Sequence, residues 1–257
     1  MSMNSIIYGP VPSWRLGRSL GIDLLSTKGK TCSFDCVYCQ LGRTTNPTVR
    51  RREFVSIEEL ATALEQVRDV AADYATFSGM GEPTLASNLG QAIQLARSIL
   101  HLPVAVLTNS SLMLREDVRQ ELGQADIVVA KVDAPSEELF RQINNPYVRY
   151  TLNDILQSIK LFRMGYRGKL ALQIMFIEAN RDYASEMAKI AIELSPDEVQ
   201  INTPLRPCVV KPLTPEEISA IEHEFSGVKR VVTVYETPRP EVAPLNSKET
   251  LRRRPKP

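Results

Sequence analysis

Apolar positions along this chain alternate between two patterns. Residues 20–25, 75–78, 103–108, 127–132, 170–177, 199–202 and 231–235 form short, largely unbroken apolar runs. Runs of that length and density predict strands buried on both faces. Between them the spacing lengthens to three and four. Leu60, Leu64, Val67 and Ala71 share a face within 56–73, and Leu89, Ile93, Ala96 and Leu100 share another. Residues 114–122, then Leu152, Ile155, Leu156, Ile159 and Phe162, then Met187, Ile190, Ala191 and Leu194, and finally Ile218, Ile221 and Phe225 continue the series. Each set is the apolar stripe of an amphipathic helix. Ser56 with Glu59 makes a capping box, and Thr214-Pro215-Glu216-Glu217 is a second helix start. The result is six strand–helix units and a closing strand.

Repeated βα alternation predicts an α/β fold with a parallel sheet and helices outside it. Right-handed crossovers curl such a sheet into a partial (β/α)6 TIM-like barrel, with ligands at the C-terminal ends of the strands. Gly9, Pro10, Pro12 and Gly17 predict an irregular arm over 1–18. The core runs over 19–235. Prolines and charges predict an irregular tail over 236–257 that wraps the domain. Residues 31–42 lie on a connection longer than ordinary strand-to-helix loops, and such loops are usually functional.

Composition adds limits. The chain has 257 residues, 43% of them hydrophobic, enough for one large domain with its own core. The formal net charge of +1 provides no global field for nucleic acid or an acidic membrane. Arg50-Arg51-Arg52 and Arg252-Arg253-Arg254 are local basic runs. A solvated surface is the first reading of both, and phosphate contact the second. The opening MSMNSIIYGP lacks the basic and apolar regions of a signal peptide, and no run is long enough to span a membrane. Clustered cysteines without an export signal predict the cytoplasm.

Three of the four cysteines, Cys32, Cys36 and Cys39, fall within TCSFDCVYCQLG. This spacing suits a metal cluster better than a disulfide framework. Three thiolates leave a four-metal cluster one ligand short, and an open metal position is where a cosubstrate can bind. A small zinc site is the alternative. It would need a fourth ligand from Cys208, His101 or His223, all distant in sequence. At the end of the second strand stands Ser78-Gly79-Met80-Gly81-Glu82-Pro83, either a plain turn or a backbone that approaches a ligand. Asn109, Lys131, Asp133, Gln173 and Asn202 also sit within or at the ends of strands. Each is either a local hydrogen-bonding group or a ligand contact. Met175 and Phe176 read as core packing ahead of an adenine cover. Cys208 reads as a small buried hydrophobe or as a hydrogen-atom donor beside a radical. Arg206 would suit an anionic substrate group.

A Cys-x3-Cys-x2-Cys loop after the first strand, with Tyr38 just before Cys39, resembles the radical S-adenosylmethionine (SAM) superfamily. The resemblance extends to about Tyr235. It implies one 4Fe–4S cluster on Cys32, Cys36 and Cys39, with SAM chelated by the open iron. Reductive cleavage of SAM would release a 5′-deoxyadenosyl radical that takes hydrogen from a small molecule or modified nucleoside. Flavodoxin or ferredoxin would be the electron donor. Gly79, Gly81 and Glu82 stand where the superfamily meets the methionine ammonium, although Met80 interrupts the paired glycines. Tyr38, Asn109, Lys131, Asp133 and Asn202 are carried over as further cosubstrate contacts. The segments Tyr8–Ser13, Leu16–Gly21 and Cys36–Gly42 are similar to a compact group catalogued beside the wyosine synthetases, which act on tRNA. Trp14 stands where that group has arginine. Only Cys208 remains for any second cluster, so the implied enzyme has one cluster, and tRNA is a possible partner. An activase acting on a partner protein and a zinc module without catalysis are the other readings.

Overall fold

The computed structural model describes residues 6–255. The expected series of parallel strands is present: β2 (Gly17–Ile22), β5 (Tyr74–Phe77), β6 (Val104–Thr108), β7 (Ile127–Lys131), β8 (Lys169–Met175), β9 (Glu198–Asn202) and β10 (Val231–Thr233). They pair in that order, each parallel to the next. Helices α1 (Ile57–Glu65), α2 (Leu89–Leu100), α3 (Glu116–Leu122), α5 (Leu152–Gly165), α6 (Ala184–Leu194) and α7 (Pro215–Glu224) form the crossovers. The sheet curls into a half-barrel. Its strands are almost wholly buried, because helices cover one face and packed side chains fill the other. Both expected capping boxes form, at Ser56 and Thr214.

Three parts of the chain differ from expectation. The described part of the supposed arm contains strand β1 (Ile7–Ser13), antiparallel to β2 at the edge of the sheet. Pro10 and Pro12 are tolerated there because an edge strand has one side with no ladder to donate to. Residues 1–5 of that arm and 256–257 of the tail lie outside the described residues. The polar residues around Asn144-Asn145-Pro146 read as a loop in the sequence, but Asn144 is the last residue of helix α4 (Glu137–Asn144), capped by Ser136. The tail carries helix α8 (Ser247–Arg253), capped by Asn246. It is tied to β1 through Leu245 N to Gly9 O at 2.7 Å and Gly9 N to Thr250 Oγ1 at 3.0 Å.

Two arginine runs expected to be solvated each bury a member. Arg253 is 1% exposed, and its Nε donates to the equally buried Asp23 at 2.8 Å. Arg51 pairs with Asp117 and Glu121 and donates to the carbonyls of Thr84 and Ala86. Both act as internal ties between distant segments. No helix among the described residues is long and apolar enough to cross a membrane.

Candidate active site

The cysteine loop is built from the backbone outward. Strand β3 (Thr31–Cys32) pairs with β4 (Asn46–Pro47), closing the loop on itself. Thr31 also bridges to Gly81: its N–H donates to Met80 O at 2.8 Å, and its carbonyl accepts from Glu82 N at 3.2 Å. A Cβ on Gly81 would fall 1.6 Å from the Thr31 carbonyl oxygen, so only glycine permits this approach. On its other side the loop rests on the C-terminus of α4. Val37 N donates to Ile143 O at 2.9 Å and Asp35 N to Asn144 O at 3.1 Å. These are helix-end carbonyls that need partners from outside the helix.

Each cysteine has its own surroundings. The Cys32 sulfur faces Phe34 N at 3.5 Å and Asn109 Nδ2 at 3.6 Å. Asn144 Nδ2 approaches the Cys36 sulfur at 3.5 Å. Lys30 is buried and lies within the field of all three sulfurs; its Nζ donates to Gly42 O at 3.3 Å and lies 3.5 Å from Asp35 Oδ1. All four cysteines are free. Burial, and then the nearby Glu82 charge, pushes the Cys32 thiol up to about 12. Burial also raises Cys36. Such thiols give up their protons to a cation placed on the sulfurs. Among the described residues, no three His, Cys, Asp or Glu side chains converge on one metal ion. The donors present are three thiols, with Asn and Lys groups aimed at the sulfurs. Such a set suits a cluster that spreads its ligands over separate metal atoms.

Beside the loop, at the C-terminal ends of the strands, lies a cavity of about 240 Å3. Of the residues picked out from sequence, Tyr38, Cys39, Gly79, Lys131, Gln173, Met175, Asn202 and Arg206 line it. Others are used differently. Glu82 is 2% exposed, and its carboxylate accepts from Thr84 N, Thr84 Oγ1, Thr108 Oγ1 and Asn109 N at 2.7–3.1 Å. Burial raises its pKa despite those donors. Asp133 is also buried: Oδ1 accepts from Met175 N at 2.9 Å, and Oδ2 accepts from Tyr38 OH and from Asn144 Nδ2 at 2.7 Å. Its carboxylate holds Tyr38 instead of facing the cavity. Lys131 Nζ donates to Tyr38 OH at 2.9 Å. Asn109 lies behind the loop, bridging Glu82 to Ser33 and Cys32. The Cys208 thiol turns to Val210 O at 3.2 Å and does not line this cavity. Lys30 and Asn144 were not picked out from sequence. Lys30 looked like a turn residue, and Asn144 belonged to an apparent Asn-Asn-Pro turn.

A curled half-barrel with a three-thiol loop and a polar cavity at the C-terminal ends of its strands defines a class of α/β enzyme. The profile of the radical SAM superfamily matches residues 27–202. The chain belongs to that superfamily. It is 41% identical to a UPF0026 protein of Methanocaldococcus jannaschii over 84% of this chain and 69% of that one. It is 37% identical to a UPF0026 protein of Synechocystis, over 82% and 78% of the two chains. Among solved structures, Streptococcus suis SuiB bound to S-adenosylmethionine superposes with TM-score 0.63 at 13% identity, over 80% of this chain and 48% of that chain. A radical SAM methyltransferase from Sphaerobacter thermophilus superposes with TM-score 0.62 at 16% identity, over 84% and 66%. The chain thus spans about half the length of SuiB.

Proposed function

We propose that this protein is a single-cluster radical SAM enzyme, with a 4Fe–4S cluster on Cys32, Cys36 and Cys39. One observation carries the reading: three free thiols share one loop beside the strand-end cavity, with N–H donors at Cys32 and Cys36 and the buried Lys30 within the field of all three. A cluster held by these three thiols would supply one electron to the sulfonium of SAM; the S–C5′ bond would break, methionine would leave, and the 5′-deoxyadenosyl radical would take a hydrogen atom from substrate. The chain's own residues do the rest. Lys30 offsets thiolate charge from a buried position. Asn109 and Asn144 each direct an amide N–H at a sulfur, which favours the thiolate form. Lys131, held by Tyr38, is the cavity-facing cation suited to the SAM carboxylate. Asn202 and Gly79 contribute polar backbone and side-chain atoms to the same cavity. Asp133 and Glu82 act one step back, by fixing Tyr38 and Asn109.

The donor of the electron is a small redox protein such as flavodoxin or ferredoxin, and a reducing compartment such as the cytoplasm suits the free thiols. Anaerobic purification tests the reading. Brown protein with about four irons and four sulfides, bleached in Cys36→Ala, is the expected result. With dithionite and SAM it should release 5′-deoxyadenosine. A colourless protein carrying one zinc, or an intact cluster that never cleaves SAM, refutes it.

A further inference from the structure

The same cavity has an unbalanced charge. Six cationic side chains line it (Arg15, Lys131, Arg206, Arg239, Arg253 and Arg254), with no carboxylate among the lining residues. Two have partners already: Lys131 lies near Asp133, and Arg253 is paired with Asp23 and Glu249. Among the described residues, Arg15, Arg206, Arg239 and Arg254 have no ion pair. Arg15 is the most exceptional. Its Nε and Nη1 are buried without a hydrogen-bond partner among the described residues, and its guanidinium lies 5.2 Å from the Trp14 ring centroid. Leaving a buried guanidinium unmatched is costly, so such a site usually has a counter-charge.

The four guanidiniums also oppose each other. Burial, then Arg254 and Arg206, pushes Arg15 down to about 9. Burial, then Arg254 and Arg239, lowers Arg206 to about 10. Burial and Arg239 lower Arg254 in turn, against an opposing effect of Tyr8. The carboxylate felt by Arg15 is Glu198, which is already held by Lys169 and Arg230 at 2.8 Å each. Position matters as much as charge. Gln40 directly follows Cys39; its Oε1 accepts from Arg206 and its Nε2 donates to the Arg253 carbonyl, both at 3.2 Å. The arginines therefore adjoin the cysteine loop.

We propose that Arg15, Arg206, Arg239 and Arg254 bind the phosphate or diphosphate group of a small substrate, holding its remaining atoms beside the cysteine loop. Guanidinium forks match phosphate oxygens in pairs, and a phosphate monoester carries about two negative charges at neutral pH. A single carboxylate would leave most of this field unmatched. A nucleic-acid backbone binds along exposed strips, whereas Arg15 presents buried atoms in a chain of net charge +1. That the anion belongs to the substrate rests on the function proposed above; that the cavity binds phosphate does not.

Trp14 is the chain's one tryptophan and lines the cavity, so its fluorescence reports binding. The anaerobic, cluster-containing protein is titrated with inorganic pyrophosphate, and calorimetry supplies the stoichiometry. Saturable one-to-one binding is expected, weakened about tenfold or more in Arg206→Gln and in Arg239→Gln, and unchanged in Arg50→Gln. Arg239 is exposed, so its variant remains informative should Arg15→Gln fail to fold. Absence of saturable binding, or binding indifferent to these arginines, overturns the proposal. Displacement of pyrophosphate by SAM would assign the site to the cosubstrate carboxylate, and displacement by bulk tRNA would assign it to nucleic acid; either overturns it. Release of 5′-deoxyadenosine is measured on the same preparation. Cleavage of SAM without pyrophosphate binding refutes the anion site alone. Pyrophosphate binding without cleavage refutes the proposed function alone.

Discussion

Replacing Gly81 with alanine tests the central joint of the site. The new Cβ would lie 1.6 Å from the Thr31 carbonyl oxygen, a backbone atom that cannot rotate away. The two strands must part by more than an ångström. The hydrogen bonds from Thr31 N to Met80 O and from Glu82 N to Thr31 O, now 2.8 and 3.2 Å, cannot survive that separation. Each contributes about 0.5–1.5 kcal/mol net. Alanine at the Gly81 φ of +151° adds strain of about 1–3 kcal/mol. The sum centres near about 4 kcal/mol, a large part of the roughly 5–15 kcal/mol that holds a domain folded. At about 2–4 °C per kcal/mol for a chain of this size, Tm should fall by about 10 °C. The assay is thermal unfolding of the reduced, metal-free protein, where any loss of ligand contacts cannot contribute. Gly165→Ala is the control. It ends α5 with nothing within 4 Å of the added methyl, so it should be neutral or slightly stabilising. A Gly81→Ala protein that melts within about 3 °C of the parent refutes the packing argument and leaves ligand contact as the reason for the glycine.

Three further outcomes are expected. Asn144→Ala removes one amide that serves Cys36, Tyr38 and Asp133 together; it should cost about 1–3 kcal/mol in denaturant titration and, by removing a donor that favours the thiolate, slow thiol labelling of Cys36 at a fixed pH in the metal-free protein, and unchanged or faster labelling contradicts the role given to Asn144. Arg51→Met strands Glu121 and the carbonyls of Thr84 and Ala86, with an expected loss of about 2–4 kcal/mol that Arg51→Lys recovers only in part, because lysine lacks the planar fork; full recovery by lysine contradicts the geometry. Arg115, with Arg51 assisting, holds the Asp117 carboxylate at about 2, below its ordinary value of 3.8. The stabilisation is present above the ordinary carboxylate range and is lost as pH falls towards 2. Asp117→Asn should therefore flatten the acid limb of the stability profile and leave neutral pH to alkaline behaviour parallel to the parent, as read from urea midpoints across pH.

The parallel sheet was legible because doubly buried strands leave continuous apolar runs. The three-thiol loop was legible as a distinct unit because three of the chain's four cysteines fall within it. Features that depend on distant partners were not. The prolines of β1 mimic a loop unless the strand is known to lie at an edge. Helix α4 is short, and its polar side chains mask the buried Leu139, Phe140 and Ile143. Arg253 and Asp23 are 230 residues apart, and no local pattern shows that they meet. The same reason hides the partners of Asp133 and Glu82: a strand-end carboxylate looks alike in sequence whether or not it accepts from a buried tyrosine or a backbone N–H across the site.

The Asp23–Arg253 tie also sets an order of events during synthesis. Asp23, whose carboxylate accepts from Met80 N beside the Gly79 turn, leaves the ribosome long before its guanidinium partner. At roughly 5–20 residues per second, the interval is about 10–50 s. Through that time Cys32, Cys36 and Cys39 are already made, while Arg253 and Arg254 of the cavity wall are not. The nascent chain therefore carries three thiols beside an unfinished wall, open to oxidants and stray metals. The cavity wall is complete only once Arg254 has been added.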